Sequence, residues 1–305
     1  MTKAKLIATL LTLFAVPAFA AAGPKPETGR ATIRGVDYYY EVHGKGEPLL
    51  LLHGGLLSSD SFAPAMPTFT RGRQVIVVDL QGHGRTTLGS RPVRCETIAD
   101  DIDTLLKQIG RTQVDALGYS FGGCVALRLA VQHPERIRRL VLASTVYADD
   151  GWYADMRVQQ KQVSAAMAPM MAETPIYKTY KAVAPKPDDF PRLLDGMGDF
   201  MRQKYDWSGE VPKLKMPVLL IFGDADMIRP EHQVKFYQLL GGGLKDAGWN
   251  RERIPKNRLA VLPDMTHYEA FASARVAETA LPFLNGQMGG DKGAAEQVKA
   301  KASKK

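Results

Sequence analysis

A serine flanked by glycines, at the junction of an apolar run and a helical pattern, constrains this chain more than any other feature. The apolar run Val114–Leu117 leads into Gly118–Gly122, and a helical pattern continues from Cys124 to about Gln132. A turn this tight holds its central residue in a strained backbone conformation, so the flanking positions favour glycine. The pattern therefore predicts that Ser120 lies at the tip of a strand–turn–helix, beside the N-terminal N–H groups of the helix.

Short apolar runs alternate with helical patterns along most of the chain. An antiparallel hairpin is predicted at residues 31–42, around a turn at Gly35. Buried strands are predicted at Pro48–Leu52, Gln74–Asp79, Val114–Leu117, Arg139–Ala143, Pro217–Phe222 and Leu259–Leu262. Helices are predicted at Glu96–Ile109, Cys124–Gln132, Glu231–Leu240 and Ala270–Asn285. This alternation predicts an α/β protein with a mostly parallel central sheet flanked by helices.

Two residues that could activate Ser120 follow later strands. Asp226 closes the loop after the strand at Pro217–Phe222, and His267 follows the last predicted strand. A serine hydroxyl is a poor nucleophile near neutral pH, so it needs a base to take its proton and an acid to orient that base. Ser120, Asp226 and His267 occur in that order along the chain.

These residues resemble the pattern of the α/β-hydrolase fold superfamily, specifically a serine esterase-like branch with a helical cap. The resemblance extends to the His-Gly-Gly sequence at His53–Gly55 and to the Asp-x-x-Gly-His-Gly loop at Asp79–Gly84. It implies that Ser120 is the nucleophile, His267 the general base and Asp226 the acid of a catalytic triad. A serine at the elbow argues against the branches of this fold that use aspartate there.

The resemblance also implies an oxyanion hole built from backbone N–H groups. The N–H after the His-Gly pair belongs to Gly55, with Leu56 as the neighbouring alternative, and the second donor is the N–H of Phe121. Two glycines in this loop could also serve only to turn the chain off the strand. His53 is expected to hold the loop rather than to transfer protons.

Other acidic and imidazole side chains near these loops have simpler interpretations. Asp224 is an alternative acid in the same loop as Asp226, but it suits a turn-forming role. Asp149 and Asp150 are further alternatives, because some members of the superfamily carry the acid after the preceding strand. Asp79 and His83 are expected to brace their loop.

The segment between the strands at Arg139–Ala143 and Pro217–Phe222 is too long for a structureless loop. Its irregular helical pattern carries six of the twelve methionines and several aromatic residues. The resemblance implies a helical cap at residues 147–210, inserted into a core formed by residues 24–146 and 211–286. Methionine and aromatic side chains would suit an adaptable apolar pocket, although many of them could simply pack the cap onto the core.

The N-terminus has the pattern of an export signal. Two lysines precede the apolar stretch Leu6–Val16, and small residues follow at Pro17–Ala20. This pattern predicts a signal peptide over residues 1–20, cleaved after Ala20 or alternatively after Ala22. The apolar stretch is short for a membrane span, and no second candidate follows it, so we expect a periplasmic or secreted protein without stable membrane insertion.

The chain has two cysteines, Cys95 and Cys124. An exported location permits a disulfide between them. Because Cys124 falls in the helix after the elbow, where a small buried thiol packs well, we favour free thiols, and the sequence leaves open whether the two cysteines form a disulfide.

The net charge of +8 does not indicate a nucleic-acid partner. Part of the excess lies in the leader, and part lies in a basic flexible tail predicted at residues 287–305. There is no interleaving of basic and aromatic residues and no Cys or His cluster with metal-ligand spacing, so neither nucleic acid, structural metal nor another cofactor is expected.

The sequence therefore predicts a periplasmic or secreted serine hydrolase, most directly a carboxylic-ester hydrolase that acts through an acyl-enzyme. The expected partner is a small-molecule ester-like substrate with an apolar acyl group, and no pattern sets the oligomeric state. The same triad would serve an amidase, a lactonase, a carbon–carbon bond hydrolase or a perhydrolase. If the protein is not an enzyme, the alternative is a protein of this fold that only binds ligands.

Overall fold

Eight strands form one sheet within residues 25–288, the part of the chain that the computed structural model describes. The strands are Glu27–Ile33 (β1), Val36–Gly44 (β2), Glu47–Leu52 (β3), Arg73–Val78 (β4), Val114–Tyr119 (β5), Ile137–Ala143 (β6), Val218–Ala225 (β7) and Arg258–Thr266 (β8). Their order across the sheet is β1-β2-β4-β3-β5-β6-β7-β8. The hairpin β1–β2 is antiparallel and joins β4 antiparallel, whereas every later pairing is parallel.

Helices connect the parallel strands. They span Met66–Phe69 (α1), Cys95–Gln108 (α2), Phe121–Gln132 (α3), Ala154–Gln160 (α4), Ala168–Met171 (α5), Pro175–Val183 (α6), Phe190–Met201 (α7), Pro230–Leu239 (α8) and Ala274–Leu284 (α9). Short 3-10 turns occur at Ser59–Phe62, Pro134–Arg136, Asp149–Gly151, Ala165–Met167, Pro187–Asp189, Val211–Lys213 and Ala270–Ala272. Helices α4 to α7 lie between β6 and β7, in the segment that the sequence predicts to be a cap.

The sheet is covered on both faces, which explains the continuous apolar runs of its central strands. In β3, Leu50 and Leu52 belong to one hydrophobic cluster, and Leu49 and Leu51 belong to the other. All four side chains are fully buried. Because alternate residues of a strand point to opposite faces, both sets must be apolar when helices cover both sides. The predicted α/β class with a mostly parallel sheet is confirmed.

A disulfide joins the first residue of α2 to the first turn of α3. The bonded cysteines are Cys95 and Cys124, whose Cα atoms are 5.9 Å apart. The sequence left this bond open, and the favoured alternative of free thiols is wrong. Both side chains are buried, and the packing of α2 against α3 brings them together, a contact that linear sequence does not show.

The predicted signal peptide and its cleavage sites lie outside the described residues. Of the predicted basic tail, only residues 287 and 288 are described. Within residues 25–288, no helix combines the length and the hydrophobicity that a membrane span requires.

Candidate active site

The turn after β5 has the strained geometry that its sequence predicts. Ser120 has φ of 51° and ψ of −115°, outside the regions that L-residues ordinarily adopt. A Cβ atom at Gly118 would lie 2.4 Å from the carbonyl oxygen of Gly122, and one at Gly122 would lie 2.2 Å from that of Leu52. Glycine is therefore required on both sides of the serine, because β3, β5 and α3 pack so closely here that a Cβ atom would collide with the neighbouring backbone.

Three side chains from the carboxyl ends of β5, β7 and β8 form a continuous hydrogen-bonded chain. The Oγ atom of Ser120 lies 3.0 Å from Nε2 of His267, and Nδ1 of His267 lies 2.8 Å from Oδ1 of Asp226. A carboxylate can only accept, so Nδ1 carries the proton and Nε2 accepts from the serine hydroxyl. His267 and Asp226 are buried, whereas Ser120 is partly exposed.

Asp226 is held as a carboxylate by several donors. Besides His267, its side chain accepts from Oγ of Ser144 at 2.6 Å and from the backbone N–H of Ile228 at 3.3 Å. Burial raises the pKa of Asp226, but the hydrogen bonds from His267, Ser144 and Ile228 outweigh burial and leave its pKa below the usual range. Ser144, at φ of 50°, ends β6 in a left-handed conformation. The sequence analysis missed it, although its place at the carboxyl end of a parallel strand is a usable signal.

His267 is enclosed by aromatic side chains. The hydroxyl of Tyr119 donates to the backbone carbonyl of His267 at 2.6 Å and anchors the loop that carries the imidazole. The ring of Trp152 lies edge-on to the imidazole with centroids 5.6 Å apart, and the ring of Tyr268 lies 6.1 Å away. Sequence reasoning placed Trp152 in the cap without linking it to the histidine.

The alternative acids do not reach His267. Asp149 pairs with Arg157 at 3.0 Å, and Asp150 is exposed beside Arg229. Asp224 is exposed and accepts from the backbone N–H of Met265. The structure thus brings only Asp226, among the four acids that the sequence proposes, to the imidazole.

The loop after β3 lies against the start of α3. A Cβ atom at Gly55 would lie 3.8 Å from Cβ of Phe121 and 2.9 Å from the terminal methyl of Met197 in α7. Among residues 25–288, the N–H groups of Gly55, Leu56 and Phe121 have no protein acceptor. Gly55 and Phe121 are thus adjacent, and Leu56 has the positive φ of 61° that turns the loop away from the strand.

Helix α7 packs against Gly55 and Phe121. The ring of Phe200 contacts that of Phe121 edge-on at a centroid distance of 5.1 Å, and Met197 is fully buried. The apolar face of α7 therefore packs directly on the loop after β3 and on the first turn of α3.

The side chains of His53, Asp79 and His83 lie beside this site, but they are hydrogen-bonded to backbone groups. His53 donates from Nδ1 to the carbonyl of Gly54 and accepts the N–H of Leu80 at Nε2. The Asp79 carboxylate accepts two backbone N–H groups, and His83 contacts the carbonyl of Gln81. Burial lowers the pKa of His53 to about 4 and that of His83 to about 3. Both imidazoles are therefore neutral and suit the bracing role that the sequence predicts.

One group of three metal-binding side chains occurs within residues 25–288, and it is remote from the serine. It comprises Asp103, His133 and Glu135. Asp103 already pairs with Lys107 and Arg136, so its charge is compensated without an ion.

The family model described as alpha/beta hydrolase fold matches residues 47–215. The chain belongs to that family. The match includes the loop after β3, the serine elbow and the helices between β6 and β7.

Curated relatives and solved structures agree with this assignment. The chain is 36% identical to the 2-hydroxymuconate semialdehyde hydrolase of Pseudomonas sp. over 125 residues, which are 38% of this chain and 43% of that protein. It is 26% identical to the pimeloyl-[acyl-carrier protein] methyl ester esterase of Nitrosomonas europaea, over 75% of this chain and 92% of that protein. The carboxylesterase CesB of Bacillus subtilis superposes with a TM-score of 0.65 at 18% identity, over 86% of this chain and 92% of that chain, and shares the fold.

Proposed function

We propose that this protein is a serine hydrolase that cleaves small-molecule carboxylic esters through an acyl-enzyme. The observation that carries the proposal is the hydrogen-bonded chain from Ser120 through His267 to Asp226. The strained elbow directs the serine hydroxyl to the imidazole, and the buried carboxylate fixes the tautomer that can accept its proton.

The first half of the reaction forms the acyl-enzyme. Oγ of Ser120 attacks the ester carbonyl carbon while its proton passes to Nε2 of His267. Asp226 stabilises the resulting imidazolium, and the tetrahedral intermediate collapses when the carbon–oxygen bond to the alcohol breaks. The imidazolium returns its proton to the departing alkoxide.

The second half repeats these steps with water. His267 takes a proton from water as the water oxygen attacks the acyl carbon, and it then protonates Oγ of Ser120 as the acid leaves.

The two backbone donors beside the elbow suit the charge that develops on the substrate oxygen. Gly55 and Phe121 are adjacent, and their N–H groups have no acceptor in the described part of the chain. Donors of this kind typically contribute about 3–4 kcal/mol each to transition-state stabilisation. We assign the oxyanion hole to these two groups.

The side chains around the serine suggest an apolar acyl group. Trp152, Met197, Phe200 and Tyr268 contact His267 or the proposed oxyanion donors, and they come from the helical insertion and from the loop after β8. The helical insertion would thus act as the cap of the active site, with methionine and aromatic side chains that adapt to an apolar ligand.

The disulfide supports an exported enzyme. Disulfides persist in oxidising compartments and are rare in the cytosol, and the leader sequence has the composition of a signal peptide. We therefore propose a periplasmic or secreted location.

Fluorophosphonate labelling and a ladder of p-nitrophenyl esters test the proposal. The wild-type protein should be labelled and should hydrolyse esters with an optimum in acyl length, whereas Ser120→Ala should lose labelling and lower turnover by on the order of 10,000-fold. The matched control is Ser164→Ala, because the Ser164 side chain makes no capping hydrogen bond.

Asp226→Asn tests the acid, with Asp149→Asn and Asp150→Asn as its controls. Severe loss of activity should follow only the first change. Labelling without ester turnover would keep the triad but redirect the search to amides, lactones or carbon–carbon bonds. A folded wild-type protein that resists the probe would favour ligand binding without catalysis.

A further inference from the structure

We propose that the end of the molecule opposite the candidate active site docks on membranes that contain anionic phospholipids. The surface consists of an exposed tryptophan loop, here called the Trp249 loop (residues 240–257), and of the cationic side chains around it. The inference does not depend on the proposed ester hydrolysis.

The Trp249 loop presents large apolar side chains to solvent. Trp249 is 99% exposed and Leu244 is 62% exposed. Neither is buried against the core, although burial of such side chains is normally favourable. Large apolar side chains exposed on one loop often mark a surface that contacts a partner.

Internal hydrogen bonds hold the loop in this shape. Arg253 donates from its backbone N–H to the carbonyl of Ala247 and from Nε to the carbonyl of Asp246. The N–H of Gly248 also donates to the Asp246 carboxylate, and the N–H of Arg251 donates to the carbonyl of Gly248. Trp249 therefore lies at the tip of a closed turn, so little ordering is needed before it inserts.

Cationic side chains outnumber acidic ones in the loop and beside its end. The loop contains four cationic and two acidic side chains, and both acidic groups, Asp246 and Glu252, pair with Arg253. Lys256 lies beside the start of β7, where its ammonium group donates to the carbonyl of Lys215 at 2.7 Å. Lys213 and Lys215 are exposed next to it.

The last described residue lies beside the Trp249 loop. Met288 lines a cavity together with Ile254, Pro255 and Lys256. Residues 289–305 follow it and contain five lysines and two acidic residues.

The loop lies at the amino ends of the parallel strands. Asn257, at its end, accepts the N–H of Val218, the first residue of β7. The serine elbow lies at the carboxyl ends of the same strands. A membrane bound at the Trp249 loop would therefore leave Ser120 open to the aqueous phase.

An anionic bilayer can bind both the apolar and the cationic side chains of this surface. Tryptophan favours the bilayer interface, where its ring is buried and its N–H stays hydrated, and leucine adds apolar contact below the headgroups. Lysine and arginine near the surface are attracted to anionic headgroups. Burial of apolar area and attraction to anionic lipids add together in interfacial binding, and this end of the molecule offers both.

Vesicle flotation tests the inference with the full chain lacking its leader. Vesicles of phosphatidylcholine with about 30% phosphatidylglycerol, a composition that carries the anionic charge at issue, should bind the protein at low salt and shift tryptophan emission to the blue. Trp249→Ser should weaken this binding by about tenfold, which corresponds to partial burial of one large apolar side chain. Val158→Ser is the matched control, because Val158 is 58% exposed on α4 in the helical insertion.

Three results would overturn the inference. They are absence of binding to the anionic vesicles, equal binding to pure phosphatidylcholine vesicles, and binding that Trp249→Ser leaves unchanged. Self-association that requires Trp249, without vesicle binding, would assign the loop to a second copy of the chain and would also overturn it.

Discussion

At the scale of single residues, the acid of the candidate triad depends on a serine that is not part of the triad. Ser144 donates to Oδ2 of Asp226, while His267 binds Oδ1. The two bonds fix the carboxylate in one plane, and Ser144 itself occupies a strained conformation at the end of β6. We regard Ser144 as a positioning residue for Asp226.

Ser144→Ala should lower kcat by about 10- to 100-fold and leave KM nearly unchanged, because the lost hydrogen bond to a charged group is worth about 1.5–3 kcal/mol. Ser144→Gly should lose as much activity as Ser144→Ala, because it also lacks the hydroxyl, although glycine adopts the positive φ of this position without strain. Steady-state kinetics on a short ester give both constants. Full activity in Ser144→Gly would show that backbone strain, and not the lost hydrogen bond, explains the effect of Ser144→Ala.

The sequence predicted the type and order of the site residues, and the structure brings Ser120, His267 and Asp226 together. These positions are predictable because each follows directly from a strand whose apolar run is visible. Ser144 and Trp152 were missed because their relation to the site is tertiary. Each touches a triad member that is more than 80 residues away in the chain.

At the scale of secondary-structure elements, α7 joins the helical insertion to the catalytic loops. Met197 lies over Gly55, and Phe200 lies against Phe121. An acyl chain that extends from the proposed oxyanion hole would meet these side chains. We therefore expect α7 to limit acyl length.

Met197→Ala should shift the optimum of the p-nitrophenyl ester ladder to longer acyl chains, because truncation opens space beside the oxyanion loop. It should also cost about 2–5 kcal/mol of stability, as buried methionine truncations do. Met216→Ala is the control, because Met216 is buried at the start of β7 and should lower stability without moving the optimum. An unchanged optimum in Met197→Ala would show that α7 does not bound the acyl site.

The disulfide between α2 and α3 gives a second prediction for the elements. It closes a loop of 29 residues and holds the first turn of the helix that follows Ser120. Replacing both cysteines by alanine should lower the free energy of unfolding by about 3 kcal/mol, chiefly by releasing the unfolded chain. Urea unfolding of the variant and of the reduced wild type should give similar losses. A loss seen on reduction but not in the double variant would contradict this account.

At the scale of the whole molecule, the α/β class and most strand positions were predictable, since a sheet buried on both faces requires apolar runs. The sequence pattern also predicted the antiparallel hairpin at the start of the sheet and the parallel strands that follow it. The ends of helices and strands were predicted less accurately than their positions. Strand β8, for example, extends to Thr266, four residues beyond its predicted end. Of these four residues only Met265 is apolar and buried, so no continuous apolar run marks the end of the strand.

Several buried histidines make the stability of the whole fold dependent on pH. Burial lowers the pKa of His53 and of His232 to about 4 and that of His83 to about 3. Each value lies below the pKa of about 6.5 that an unfolded histidine has. The unfolded chain therefore binds more protons than the folded chain in this range, and the free energy of unfolding falls as the pH drops below about 6.5.

The contribution of one histidine can be isolated at His232, which is stacked on Tyr147 and accepts its backbone N–H. Between pH 6.5 and 5.5, above the range where carboxyl groups titrate, His232→Gln should reduce the slope of unfolding free energy against pH by about 1 kcal/mol per pH unit. Leu220→Ala, in the core, should lower the whole curve without changing its slope. Parallel curves for wild type and His232→Gln would mean that His232 gains its proton as readily in the folded protein as in the unfolded chain.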